Sequence, residues 1–366
     1  MRPAYIVAAY RTAVAPENGA FARLALHDLA APVIRACLQN CPIPPDELIL
    51  SNALYGGGNP ARLAALAAGL PETVAGLSID RQCAGGLDAI LLAARLVQSG
   101  AARAVLAGGA ESHSRRPLRL RTDADGAAPV AYDRPPFSPW ASRDPDLHES
   151  AAQLADAMGL TRAAQDEFAV DSHAKARAAR DHMRREIIAL AGLDRDAFTR
   201  DLSLKTAARA PLITGSLSAA NTAIKADAAA FVLVVDQDIA AEFSGISPAQ
   251  IIGGVTLGAA PETPATAPIA AIEQTLAQAG ITADRLACSE VMEAYAVQAI
   301  ACQNGAGLDP STMNRGGGAL ARGHPIGASG AINAVRLFHE LQRSSGTGLA
   351  AIAAAGGLGT ALLLQV

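Results

Sequence analysis

Ser78 to Ile90 reads SIDRQCAGGLDAI: an apolar segment runs into a cysteine, two glycines follow, and a helical pattern begins. Past Gly85-Gly86, the residues Leu87, Ile90, Leu91 and Ala94 recur at offsets of three, four and seven, which lays one apolar face along a helix. An apolar strand, Ala104 to Ala107, comes next and ends in Gly108-Gly109. Strand, glycine turn, helix and strand make a βαβ unit, whose parallel strands need a helical crossover. A second stretch repeats the plan near the other end. NRGGGALARGHPIGASGA, Asn314 to Ala331, opens a helix carrying Ile332, Val335, Leu337 and Phe338, before a strand at Leu349 to Ala355 and Gly356-Gly357.

Working outward, the two stretches belong to an internal duplication. AYIVAAY at Ala4 to Tyr10 is echoed by AQIIGGV at Ala249 to Val255, and PPDELIL from Pro44 by TADRLAC from Thr282. Ser99-Gly100 matches Ser345-Gly346, Gly108-Gly109 matches Gly356-Gly357, and Gly86 matches Gly330. Each half closes with an apolar strand, Ala228 to Val235 and Ala361 to Val366. The expected fold is therefore α/β with mostly parallel sheets. Residues 1–112 with 226–248 form one half, 249–366 the other, and 113–225 an insertion without a counterpart. The insertion holds a basic run, RRPLRLR, a proline-rich loop and a helical segment from Asp146 to Ile187.

Composition agrees with a multi-part globular chain. The 366 residues are 51% hydrophobic, 17% charged and only 4% aromatic, with 33 glycines. A net charge of -4 gives no field that would attract nucleic acid, which is not expected as a partner. No uncharged apolar stretch reaches the ~18 residues of a membrane span, and the start, MRPAYIVAAYRTA, lacks a signal-peptide pattern. Five cysteines, Cys37, Cys41, Cys83, Cys288 and Cys302, form neither a disulfide framework nor a metal motif, so no metal is expected and the cytoplasm is the expected compartment.

The two glycine turns carry the candidate chemistry. Cys83 sits where a strand gives way to a helix, and a helix start favours thiolate over thiol, which lowers the pKa and sharpens the nucleophile. A buried structural cysteine is the plainer reading of such a residue. His324 stands beside Pro325 among glycines in the equivalent turn of the other half. Pseudo-twofold packing would bring the two together, and a thiol with an adjacent imidazole points to acyl transfer through a thioester.

With those residues in view, the chain resembles the thiolase family along nearly its whole length. RQCAGGLDAI is similar to the family's nucleophile turn and GGGALARGHPIGASGA to its histidine signature. NPAR at Asn59, AGLP at Ala68, GGAES at Gly108 and QDEFAVDSHAKA at Gln165 follow in family order. The resemblance implies two βαβαβαββ halves in five layers, α/β/α/β/α, with an inserted loop domain. It also implies a homodimer formed through the N-terminal half, with a tetramer as the larger alternative. Coenzyme A or an acyl-CoA would be the substrate, with no permanently bound cofactor. It casts Cys83 as the acylated nucleophile, His324 as its activator, and the backbone N–H groups of Cys83 and Ala355 as an oxyanion hole. Leu147, Ala223 and Tyr295 would line the acyl and pantetheine path.

Three departures set this chain apart. Ala353 stands where C-x-G-G-G-x-G carries a second catalytic cysteine, and Met292, in VMEAYA, replaces the asparagine of N-E-A-F. The pantetheine loop has Ala223 at an expected serine and Ile224-Lys225 in place of a small polar pair. Proton transfer by a positioned group is worth roughly 10² to 10⁴ in rate, so carbon-carbon chemistry is expected to be impaired. The expected function is an acyl-CoA acyltransferase acting through Cys83. The alternatives are a catalytically degenerate CoA-binding or partner protein and a ketosynthase-like condensing enzyme, the latter without a basic face to dock a carrier protein. Cys288 and Cys302 are candidate substitutes for the missing thiol. Arg115, Arg116, Arg119 and Arg121 read as a solvated loop, with contact to a CoA phosphate as the sharper alternative, and His113, His148, His173 and His182 read as surface or helix residues.

Overall fold

The computed structural model describes residues 2–366. Nine principal strands occur in chain order: β1 Tyr5–Thr12, β2 Glu47–Ser51, β3 Ala75–Ile79, β4 Ala104–Ser112, β5 Ala226–Val235, β6 Ala249–Gly258, β7 Leu286–Val291, β8 Thr347–Ala354 and β9 Leu358–Gln365. The longer helices are α1 Leu26–Leu38, α2 Pro60–Ala67, α3 Gly85–Ser99, α4 Leu147–Ala157, α5 Arg162–Ala178, α6 Ala267–Ala279, α7 Ala296–Gly305 and α8 Ile326–Ser344. The strands form one path, β7-β8-β9-β6-β1-β5-β4-β2-β3. A ladder of only two residue pairs, Tyr5 with Gln250 and Ile6 with Ala249, joins the half-sheets.

Strand periodicity explains the layers. Along β5, Ala228, Ala230, Val232 and Val234 point into a central core, whereas Ala229, Phe231, Leu233 and Val235 point to an outer one. β8 and β9 divide in the same way, with Ile352 and Leu362 central and Leu349 and Leu363 outer. Helices α3 and α8 fill the centre and touch strands of both halves, α1 and α2 cover one outer face, and α6 covers the other. The order is α/β/α/β/α, the five layers expected.

The sheet is mixed rather than mostly parallel. β2 pairs in parallel with β3 and β4, and β7 with β8, as helical crossovers require. The other pairings along the path are antiparallel: β8 turns directly into β9, the chain leaving β4 comes back into β5 at the same end of the sheet, the first strand of each half adds beside its last, and β1 meets β6 across the halves. The third strand of the second half is reduced to a single bridge between Ser289 and Met313. The glycine pairs at 108 and 356 are not equivalent either: Gly108 and Gly109 lie inside β4, whereas Gly356 and Gly357 turn the chain between β8 and β9 with φ of +83° and +78°. Gly86 and Gly330 do correspond. A Cβ on Gly86 would stand 2.6 Å from the Ala331 nitrogen, and one on Gly330 would stand 2.6 Å from the Leu87 nitrogen. This reciprocal crossing lets the starts of α3 and α8 touch backbone to backbone.

Between β4 and β5 the chain forms hairpins and helices beside the sheet. The helical pattern from Asp146 to Ile187 is broken at Gly159, which has φ of +64°; α4 ends before it, and Thr161 caps α5 by accepting from the Ala164 N–H. No helix among the described residues is long and apolar enough to cross a membrane.

Candidate functional site

Cys83 lies in a single 3-10 turn, Gln82–Ala84, that leads into α3. Gln82 adopts φ of +50°, and Asp80 Oδ1 holds it there by accepting from its backbone N–H at 2.8 Å. This is a locally strained turn, and it aims the thiol out of the helix start. His324 lies just ahead of α8, its N–H bonded to the Ile224 carbonyl at 2.8 Å. The crossing at Gly86 and Gly330 then brings Cys83 Sγ and His324 Nε2 to 3.0 Å.

The surroundings select the tautomer of His324. Ser329 donates its hydroxyl to the Pro325 carbonyl at 2.9 Å, so its oxygen is left to accept from Nδ1, 2.7 Å away. With the ring proton on Nδ1, Nε2 presents a lone pair to the thiol, the orientation a general base needs. Burial, with His113 adding to it, lowers the His324 pKa to about 3. Burial likewise pushes the Cys83 thiol up to about 12, against the pull of its backbone N–H. This corrects the expectation that the helix start would bring the thiol toward neutrality: desolvation outweighs the helix end, and the resting pair is neutral thiol and neutral imidazole.

Two carboxylates hold the frame. Glu111 of β4 accepts from Asn52 Nδ2 at 2.6 Å, from the Ala53 N–H at 3.1 Å and from the Gly327 N–H at 2.9 Å, tying the first half to the start of α8. Burial raises its pKa to about 7. Glu293 accepts from Ser172 of α5 at 2.7 Å, Asn314 at 2.7 Å and the Leu320 N–H at 3.2 Å, anchoring the insertion to the histidine turn. The sequence reading assigned neither residue a role, although both lie in motifs it quoted.

One cavity of about 130 Å³ gathers most of the candidates: Cys83, His324, Leu147, Ala223, Tyr295 and Ala353 line it, together with Ala355. The chain from Asn221 to Lys225 is stitched to both sides, with Ala223 N–H bonded to the Ala294 carbonyl at 2.9 Å and Lys225 bridged to His324. Met292 is not among the lining residues; it is 2% exposed and packs in the central core. Cys288 and Cys302 are also packed in core clusters, at 1% and 0% exposure, and neither lines the cavity. Ala353 presents only its methyl group.

Of the histidines read as surface or helix residues, His148, His173 and His182 do lie on helices, and only His113 needs correcting. His113, directly after β4, and His173, on α5, are buried, and burial lowers both to about 4. His148 lines the cavity, with Nδ1 3.1 Å from the Tyr295 hydroxyl, a contact that no motif spacing could reveal. In the basic run, Arg116 pairs with Glu17 and Asp133 and Arg119 donates to the Ala53 carbonyl at 2.8 Å. A separate groove beside Ala219, Ala220 and Ile224 is lined by Arg200, Lys205 and Arg209. No cluster of three or more His, Cys, Asp or Glu among the described residues could hold a metal ion.

Fold and site together define a duplicated α/β protein with a thiol and an imidazole converging from the two halves onto an apolar cavity. The chain belongs to the thiolase family: the thiolase N-terminal domain matches residues 4–247 and the thiolase C-terminal domain residues 247–366. It is 40% identical to "Putative acetyl-CoA C-acetyltransferase YhfS" of Bacillus subtilis, with 99% of each chain covered. It is 34% identical to "Putative acetyl-CoA C-acetyltransferase VraB" of Staphylococcus aureus, again over 99% of both. Among solved structures, the Bacillus anthracis acetyl-CoA acetyltransferase superposes with TM-score 0.90 at 30% identity, covering 100% of this chain and 99% of that one. The Acat5 thiolase of Ascaris suum, in complex with coenzyme A, superposes with TM-score 0.91 at 27% identity over 100% of both chains.

Proposed function

We propose that this protein is an acyl-CoA acyltransferase that carries the acyl group as a thioester on Cys83. The observation that carries the reading is the 3.0 Å contact between Sγ and an Nε2 whose lone pair faces it. As Sγ attacks the thioester carbon, the thiol proton passes to Nε2 and the carbonyl electrons move to oxygen. The backbone N–H groups of Cys83 and Ala355 are the proposed donors to that oxygen. Collapse expels the CoA thiolate, which recovers the proton from His324, and a second thiol or carbon nucleophile takes the acyl group.

The CoA arm would pass Ala223 and Leu147, with its phosphates toward Arg200, Lys205 and Arg209 in the adjoining groove. Support comes from the continuity of the Ala219 to Ile224 segment, which borders both spaces, and from the CoA bound by the Ascaris relative. The protein would work in a reducing cytoplasm, in keeping with its five free cysteines. A homodimer through the N-terminal half is supported by β3, a partly exposed edge strand at the end of the sheet path; a monomer by light scattering would contradict that assembly. Ala353 and the buried Met292 favour a second reading, a CoA-binding protein without covalent chemistry. Mixing with acyl-CoAs of increasing chain length separates the two. Acyl transfer gives a burst of free CoA equal to the number of sites, lost in Cys83→Ala; no burst with any chain length favours the binding protein.

A further inference from the structure

We propose that Tyr295 and His148 form a proton-transfer pair for chemistry at the α-carbon of a second thioester, taking over where Ala353 offers no proton. The inference rests on the acyl-enzyme reading above. The Tyr295 hydroxyl lies 3.1 Å from His148 Nδ1, and the rings meet edge to face with centroids 5.6 Å apart. Both side chains line the cavity that holds Cys83, His324 and Ala353. They arrive on different elements: Tyr295 directly precedes α7, and His148 occupies the first turn of α4, where Asp146 fixes its backbone by accepting from its N–H at 2.8 Å. Their meeting is therefore not a by-product of one helix's spacing. The hydroxyl is also an addition relative to the N-E-A-F motif, so this pocket gains a phenol where it lacks a thiol.

Burial, Asp146 and the Cys83 sulfur together raise the proton affinity of the phenolate. The phenol therefore relays a proton rather than resting ionised. In condensation, the α C–H bond breaks, its electron pair enters the enolate, and the proton bonds to the phenol oxygen while the phenol's own proton moves to His148 Nδ1. The enolate carbon then attacks the acyl carbon on Cys83. The departing Cys83 thiolate recovers one proton, which balances the one taken from carbon. In cleavage the phenol protonates the departing enolate, and the incoming CoA thiol gives its proton to the pair as it attacks the acyl-enzyme.

Acetyl-CoA incubated with the protein in D₂O reports the α-proton step directly, as deuterium in the recovered thioester, beside the burst of free CoA that reports acylation. The wild type is expected to exchange. Tyr295→Phe should lower exchange by roughly 10² to 10⁴, and by at least about tenfold more than it lowers acylation. His148→Ala should lower exchange as well, and imidazole added to the medium should recover part of it, whereas His148→Asn, which can accept a hydrogen bond from the phenol but cannot take its proton, should not. Exchange at the wild-type rate in Tyr295→Phe, or a wild type that acylates without exchanging, overturns the pair and leaves the acyl-enzyme reading standing. Exchange that depends on Tyr295 without any acylation sustains the pair and overturns that reading instead.

Discussion

At the scale of single residues, the site turns on where one proton sits. Ser329 spends its hydroxyl hydrogen on the Pro325 carbonyl, which leaves its oxygen to hold Nδ1–H and keeps Nε2 a base. Ser329→Ala removes that constraint, and losing a bond worth ~0.5–1.5 kcal/mol should slow acylation about 2- to 10-fold in a stopped-flow assay of CoA release. Because His324 in the folded protein takes a proton only near pH 3, the base remains neutral across the range where a free histidine, pKa near 6.5, would charge. Acylation should accordingly hold its rate down to pH 5, and a fall centred near 6.5 would show an unperturbed imidazole. Cys83 and His324 were legible in the sequence because glycine turns ahead of amphipathic helices mark helix starts. The resting thiol was not: the turn announces the helix end, whereas the burial that overrides it comes from α8 and β8, distant in the chain. His148 was read only as a surface or helix residue for the same reason, since its partner Tyr295 lies on another element.

At the scale of elements, the two central helices cross where neither has a side chain. Gly86→Ala would drive a Cβ against the backbone nitrogen of Ala331, an atom that cannot rotate away. The cost should be about 1–3 kcal/mol, read as a lower midpoint in urea, and acylation should suffer with it because the same crossing sets the Cys83 to His324 distance. Stability equal to wild type would mean the helices can separate without loss. The duplication was readable here, since β1 and β6, β2 and β7, and the ends of α3 and α8 all repeat at nearly constant spacing. Strand direction was not. Apolar runs such as Ala226 to Val235 look alike in parallel and antiparallel pairings when both faces are buried, so the mixed sheet emerged only from the structure.

At the scale of the whole molecule, a buried charge cluster joins the parts. Arg11 of β1 donates to Glu186 at 2.7 Å and to Asp196 at 2.7 Å, both in the insertion, and Arg336 of α8 donates to Glu186 at 2.6 Å and to Glu340 at 2.5 Å. Despite burial, the two arginines hold Glu186 down at about 2. Arg336→Met would strand those carboxylates, and breaking such a pair typically costs about 3–5 kcal/mol; a loss under about 1 kcal/mol in chemical denaturation would show that the cluster contributes little. This linkage matters to function because α8, carrying the cluster, also begins at the histidine turn. The proposed function depends on the nucleophile made where the two halves meet. Intact-mass analysis after exposure to acetyl-CoA, followed by peptide mapping, tests it most directly. One added acetyl group is expected on the peptide containing Cys83 and none on Cys83→Ala. An unmodified mass, with coenzyme A nonetheless bound, would contradict it.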